Sequence, residues 1–171
     1  MSATIDIFKK YRNNIFIETG SYKGSGIQMA LDAGYERIYS IELSPLLWNY
    51  CRNKFKGKKN VLVFVGYSPM VLTDILEFID EPITFWLDAH YSGGITAKGE
   101  ELSPVLKELN VIRDHSINTH TIMIDDIRDW ETHGYGISVE SAKEFLLTIN
   151  KDYKFTLENG TVVNDILVAS I

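Results

Sequence analysis

Between residues 15 and 125, short runs rich in Val, Ile and Phe alternate with longer stretches whose apolar residues recur near i, i+3, i+4 and i+7. The short runs have the pattern of strands buried on both faces, and the longer ones that of helices with one apolar stripe. Their alternation predicts a parallel sheet covered by helices on both sides. Strands are predicted at Ile15 to Glu18, Arg37 to Glu42, Val61 to Gly66, Ile83 to Asp88 and Thr119 to Asp125, each closing on an acid or a glycine. Between them lie the helical stretches KGSGIQMALDAGY, SPLLWNYCRNKF, SPMVLTDILEFI and SPVLKELNVIRDH. Three of these open with Ser-Pro, which predicts a serine N-cap followed by a proline in the first turn.

After a further helical stretch, ESAKEFLLTINK, the pattern changes. YKFTLE and VVNDILVASI flank Asn159-Gly160-Thr161, which predicts two antiparallel strands joined by a tight turn. One long irregular stretch remains, HYSGGITAKGEE at residues 90 to 101. A glycine-bearing loop of that length in a small domain reads as a lid or binding loop.

Composition narrows the function classes. A chain of 171 residues with 45% hydrophobic content suits one domain, here 1–171, with one filled core. A net charge of −6 supplies no cationic field for nucleic acid or anionic lipid, so neither is an expected partner. The single cysteine, Cys51, cannot form an internal disulfide and reads as a buried helical residue. No run is long and apolar enough to span a bilayer or begin a secretory signal, so the expected location is cytoplasmic.

In open α/β sheets, ligands sit beyond the carboxyl ends of the strands, close to the first one. The turn there is ETGSYKGSG, with glycines at 20, 24 and 26. That is not the G-x-G-x-x-G of a pyrophosphate cradle. Glu18 would repel phosphate and attract an ammonium group, which suits a cofactor with an amino acid end. Glu42 lies 22 residues after Gly20, where an acid accepts both hydroxyls of a ribose. Tyr67 and Ser68 stand where they could flank an adenine by stacking and hydrogen bonding.

Taken in order, ETGSYKG, IELS, VGYS and WLDAH, with five parallel strands and a terminal hairpin, resemble the class I S-adenosylmethionine (SAM)-dependent methyltransferases over nearly the whole chain. Glu18, Gly20 and Gly24 match the family's first motif, and Tyr22 stands where many members carry another glycine. The resemblance implies a Rossmann-like sheet of order 3-2-1-4-5-7-6. It implies cofactor contacts from Glu18, Thr19, Gly20, Ser21, Gly24, Glu42, Leu43, Tyr67, Ser68 and Asp88, with Gly20 and Gly24 against the methionine part.

Asp88 closes the fourth predicted strand, and Asp125 with Asp126 closes the fifth. Adjacent strands lie about 4.8 Å apart, so these acids can converge. Uncompensated, they must take up protons or bind a hard cation such as Mg²⁺. The same three positions resemble the metal site of metal-dependent small-molecule and sugar O-methyltransferases. The resemblance then implies Mg²⁺-assisted methylation of a sugar, glycan or other polyol hydroxyl. His90 is the expected base, with Asp88 or Lys98 as substitutes. Tyr91, Lys98 and Glu101 are placed to contact the acceptor, and Trp130 to wall its pocket, while Trp48 and Trp86 read as core. His133 in ETHGYG could touch the acceptor from a loop, while Gly134 and Gly136 read equally as simple flexibility.

Competing readings are a metal-free methyltransferase, a nitrogen methyltransferase, a non-catalytic SAM-binding module and a dinucleotide-binding protein. The Asn/Asp-Pro-Pro-Tyr signature of amide-nitrogen methylation is absent, and the glycine spacing and Glu18 disfavour the dinucleotide. The few residues before the first strand leave little to cover a cofactor, so a homo-oligomer or a larger parent chain is expected to complete the site.

Overall fold

Val, Ile and Phe in five consecutive runs cannot all face water, and the expected parallel sheet is present; the third run, at the sheet edge, is the exception to burial on both faces, with Leu62 and Val65 exposed. A computed structural model describes residues 3–91, 93–94, 96–99, 101–132 and 135–171. The parallel strands are β1 (Ile15–Thr19), β2 (Arg37–Glu42), β3 (Val61–Val65), β4 (Ile83–Leu87) and β5 (Thr121–Ile124). The antiparallel pair β6 (Lys154–Glu158) and β7 (Ile166–Ser170) completes a seven-stranded sheet of order β3-β2-β1-β4-β5-β7-β6.

The period of two along each strand sorts side chains between two cores. On one face Phe16, Ile38, Trp86 and Met123 pack with Phe8, Ile27 and Cys51 from α1 (Ile5–Lys10), α2 (Ser25–Ala33) and α3 (Pro45–Lys54). On the other, Ile17, Phe85, Ile122 and Leu167 meet Leu72, Leu109 and Leu146 from α4 (Ser68–Leu76), α5 (Val105–Arg113) and α7 (Val139–Ile149). Burying each such large side chain contributes roughly 1.5–3 kcal/mol. A short α6 (Asp129–Thr132) follows β5. Among the described residues no helix is long and apolar enough to cross a membrane.

Several elements differ from their sequence-based limits. β5 starts at Thr121, not Thr119, because the His120 ring, not a backbone carbonyl, receives the Ile83 N–H at 3.1 Å. The hairpin has no tight turn at Asn159-Gly160. Glu158 pairs with Ile166, and residues 159–165 form a wider loop closed by the Asn159 side chain, which accepts the Asn164 N–H at 2.8 Å. Of the Ser-Pro pairs only Ser44 occupies an N-cap, without a side-chain capping bond. Ser68 lies inside α4, its hydroxyl committed to Glu108, and Pro104 takes the N-cap position of α5. Trp86 is fully buried, whereas Trp48 is half-buried and donates Nε1–H to the Val63 carbonyl at 2.9 Å.

Candidate active site

The carboxyl ends of β1, β2 and β4 open onto a cleft of about 680 Å³. Its cofactor half is lined by Gly20, Ser21, Glu42, Leu43, Tyr67 and Ser68. Its other half is lined by Asp88, His90, Tyr91, Asp126, Arg128 and Asp129.

The first turn is built by close backbone approach. Gly20 has φ +87°, and a Cβ there would lie 2.4 Å from the Asp88 carbonyl oxygen. Only glycine lets the β1 turn pass the end of β4 so closely. Gly24, at φ +75°, would drive a Cβ to 2.5 Å from the Phe55 ring, so it serves packing against α3 and does not line the cleft. Glu18 and Thr19 are also fully buried beneath the floor. Ser21 and Ser40 share a hydrogen bond of 2.5 Å, and Ser40 Oγ donates to Glu18 Oε2 at 2.6 Å, so Glu18 reaches the cleft only through hydroxyls. Burial pushes its carboxyl up to about 8, opposed by Ser40, leaving it mostly uncharged at neutral pH. Its burial and raised pKa weaken the attraction for an ammonium group expected of Glu18.

Glu42 holds the end of β2 with both oxygens. Oε2 accepts the Tyr22 N–H at 2.8 Å and Oε1 the Ser44 N–H at 2.9 Å. Each oxygen keeps a further lone pair, and the side chain borders the cleft, so the pair fits the two hydroxyls of a ribose. Ser68 donates its hydroxyl hydrogen to Glu108, so it can serve an adenine only as an acceptor. Tyr67 hydrogen-bonds Glu101, and Lys107 lies 5.5 Å from the centre of its ring. A Cβ on Gly99 would meet Leu43 at 3.6 Å and Tyr67 at 3.8 Å, and Tyr91 N–H donates to the Leu102 carbonyl at 2.8 Å. Among the described residues of the 90–101 stretch, Glu101 therefore reaches the cofactor half, not the acceptor side where the sequence placed it. Lys98 lies above the Tyr91 ring at 6.0 Å.

The acids expected to share one cation separate into two groups. Asp88, His90 and Asp126 bring ligand atoms within 4.8 Å of one another, and so do Asp125, Asp126 and Asp165. Asp125 turns from the first group because its Oδ1 accepts the Asp126 N–H at 2.9 Å, with Asp126 in the left-handed region at φ 54°. Arg128 pairs with Asp126 at 2.7 Å and with the buried Asp165. His90 stands between Asp88 and Asp126, its Nδ1 and Nε2 each 3.4 Å from a carboxylate oxygen. The contact with Asp88 raises the His90 pKa against the effect of burial. Burial raises the Asp88 pKa and His90 opposes it. The acids uncompensated in the sequence thus have Arg128 and the titratable His90 beside them.

Sequence reasoning missed Arg128 and Asp165. Arg128 follows the acidic pair in DDIRD and was legible as its counter-ion. Asp165 was hidden by a hairpin register that the tight-turn pattern misplaced. Trp130 is buried in the core and borders only a small recess under the cleft. His115 and His120 lie at the opposite ends of the strands, and His133 falls outside the described residues.

A scan against protein-family models finds no match, and no curated protein matches in sequence. Solved structures do match. The sheet aligns with the O-methyltransferase TomG from Streptomyces achromogenes, involved in tomaymycin synthesis and solved with SAM, at TM-score 0.64 and 10% identity, covering 98% of this chain and 77% of that one. The chain has the class I methyltransferase fold. A Bacillus cereus O-methyltransferase solved with S-adenosylhomocysteine (SAH) aligns at TM-score 0.59 and 14% identity, over 98% and 78% of the two chains. SMU.1697c of Streptococcus mutans, described as a methyltransferase and solved with SAH, aligns at TM-score 0.61 and 14% identity over 100% and 99%. The methyltransferase fold here places the cleft over Gly20 and Glu42, at the sequence-predicted strand ends.

Proposed function

We propose that the protein is a SAM-dependent O-methyltransferase acting on a hydroxyl of a sugar, glycan or similar small polyol. The observation that carries this reading is a single cleft in which a ribose-compatible Glu42 and a carboxylate-flanked His90 occupy opposite halves. The neighbours of this fold include O-methyltransferases solved with SAM or SAH, which supports the same donor.

SAM supplies an electrophilic methyl group, and the protein must align it with an oxygen and remove a proton. Alignment in a cleft contributes up to roughly 7–11 kcal/mol in favourable cases. His90, neutral on one nitrogen, accepts the hydroxyl proton, and the charge it then carries is stabilised by Asp88 and Asp126. Tyr91 and Asp129 give the acceptor side hydrogen-bonding partners that a polyol uses.

A second reading is favoured by the ligand-atom spacing of Asp88, His90 and Asp126. These residues would hold a divalent cation that orients the acceptor and lowers the pKa of its hydroxyl. The imidazole makes the set better suited to Mn²⁺ or Zn²⁺ than to all-oxygen Mg²⁺.

Calorimetric titration with SAH, followed by methyl transfer from SAM to a panel of polyols with EDTA, Mg²⁺ or Mn²⁺, tests both readings. SAH binding with transfer that survives EDTA supports the His90 mechanism. Transfer restored only by a cation supports the second reading. No SAH binding overturns the proposed function.

A further inference from the structure

Glu108, on the buried face of α5, is 1% exposed and does not line the cleft. Its Oε1 accepts the hydroxyl of Ser68, a residue of the cofactor half. Its Oε2 is buried and has no partner within hydrogen-bond distance, although the Thr19 hydroxyl, likewise unpaired, acts on the carboxyl from nearby. Glu108 also borders a recess of about 10 Å³ beneath the acceptor half, shared with Asp88, His90, Asp125 and Asp126 and walled by apolar side chains such as Leu87 and Ile124.

A carboxylate oxygen left dry is costly, and a buried polar atom without a protein partner commonly marks a bound water. The recess has room for about one water, and several carboxylates on its lining can accept that water's hydrogens. We infer that Glu108 is a positioning residue of the active site, acting through one buried water held between its Oε2 and Asp88. Asp88 is the group 3.4 Å from His90 Nδ1, so fixing its carboxylate fixes the imidazole that faces the acceptor. Burial pushes the Glu108 carboxyl up to about 7, opposed by Ser68 and Thr19. The bridge does not depend on its protonation, because water donates to a carboxylate and accepts from a carboxylic acid equally well.

The kinetic arm of the test rests on the methyltransferase reading, and the crystallographic arm does not. A high-resolution crystal structure of the wild-type protein is expected to show a water within hydrogen-bond distance of Glu108 Oε2 and Asp88. A dry recess, or a metal ion recognised by anomalous scattering and short coordination distances, overturns the inference. In Glu108→Leu, kcat at saturating SAM is expected to fall about 10- to 100-fold, whereas Glu108→Gln, which can still hold the water, stays within about threefold of wild type. A Leu variant with unchanged kcat overturns the inference, and so does a Gln variant as impaired as Leu. If Glu108→Leu fails to fold, the Gln variant's rate and its density at the recess decide alone. If wild type binds no SAH, the proposed function fails, and the wild-type density decides: a bridging water supports the placement and a dry recess overturns it.

Discussion

In the proposed mechanism the chemistry turns on His90. As a base it must be neutral, and the neighbouring Asp88 raises its pKa above 6.5, so kcat is expected to rise with pH through that raised value and then level off. His90→Gln should lose this limb and fall about 10²- to 10⁴-fold, read from kcat profiles between pH 5.5 and 9. A variant that keeps both limb and rate would remove His90 from the chemistry. The strand-end acids were legible in the sequence because the apolar runs close on Asp88 and Asp125. Their partition was not, because it depends on the left-handed backbone of Asp126 and on Arg128 drawing Asp126 and Asp165 together. Gly20 offers a test of the neighbouring turn. Gly20→Ala combines a positive φ, which costs an alanine about 1–2 kcal/mol, with a Cβ only 2.4 Å from the Asp88 carbonyl. Urea unfolding should show a loss of more than about 2 kcal/mol, and SAH should bind more weakly. Unchanged stability would mean that the β1 turn does not press on β4.

At the scale of elements, hydrophobic periodicity carried most of the fold, and the exceptions share one cause: a side chain took over a backbone role. The Asn159 side chain widens the hairpin loop, and the widened loop brings Asp165 to Arg128. At the amino ends of β4 and β5, two imidazoles link three elements. Ile83 N–H donates to His120 Nδ1 at 3.1 Å, so the His120 proton lies on Nε2 and is donated to His115 Nδ1 at 3.0 Å. His115 then donates Nε2–H to the Ile79 carbonyl at 2.8 Å. A second proton on His120 would break the bond to Ile83. Burial, with His115 beside it, accordingly lowers the His120 pKa to about 4. Because the folded value is depressed, the stability it contributes is present above the unfolded pKa of about 6.5 and lost as pH falls towards 4, a loss of about 3 kcal/mol at most. Glutamine at this position can accept from Ile83 and donate to His115 without titrating. His120→Gln should therefore lose less stability than wild type between pH 7 and pH 4.5 in urea unfolding. Parallel losses in the two proteins would show that the histidine chain does not govern acid stability.

The molecule as a whole joins a −6 net charge to a cleft at the carboxyl ends of its parallel strands. That combination favours a ligand with a cationic sulfonium or ammonium group over one with a pyrophosphate, since Glu42, Asp88 and Asp126 all border the cavity. It also separates the methyltransferase from the dinucleotide reading by a measurement that needs no acceptor. A ligand that binds only the folded chain stabilises it by mass action, about 2.7 kcal/mol at one hundred times its Kd. For a domain of this size that corresponds to a rise in Tm of about 5–10 °C. SAH should produce this rise and NAD none at the same concentration, as followed by differential scanning calorimetry. Glu42→Ala should reduce the SAH shift by removing the acceptor of the ribose hydroxyls, although its loss also frees the Tyr22 and Ser44 N–H groups and lowers the Tm of the free protein. The ligand-induced difference, not the absolute Tm, is therefore the quantity that decides. A shift with NAD and none with SAH would reverse the assignment of the cleft while leaving the fold as described.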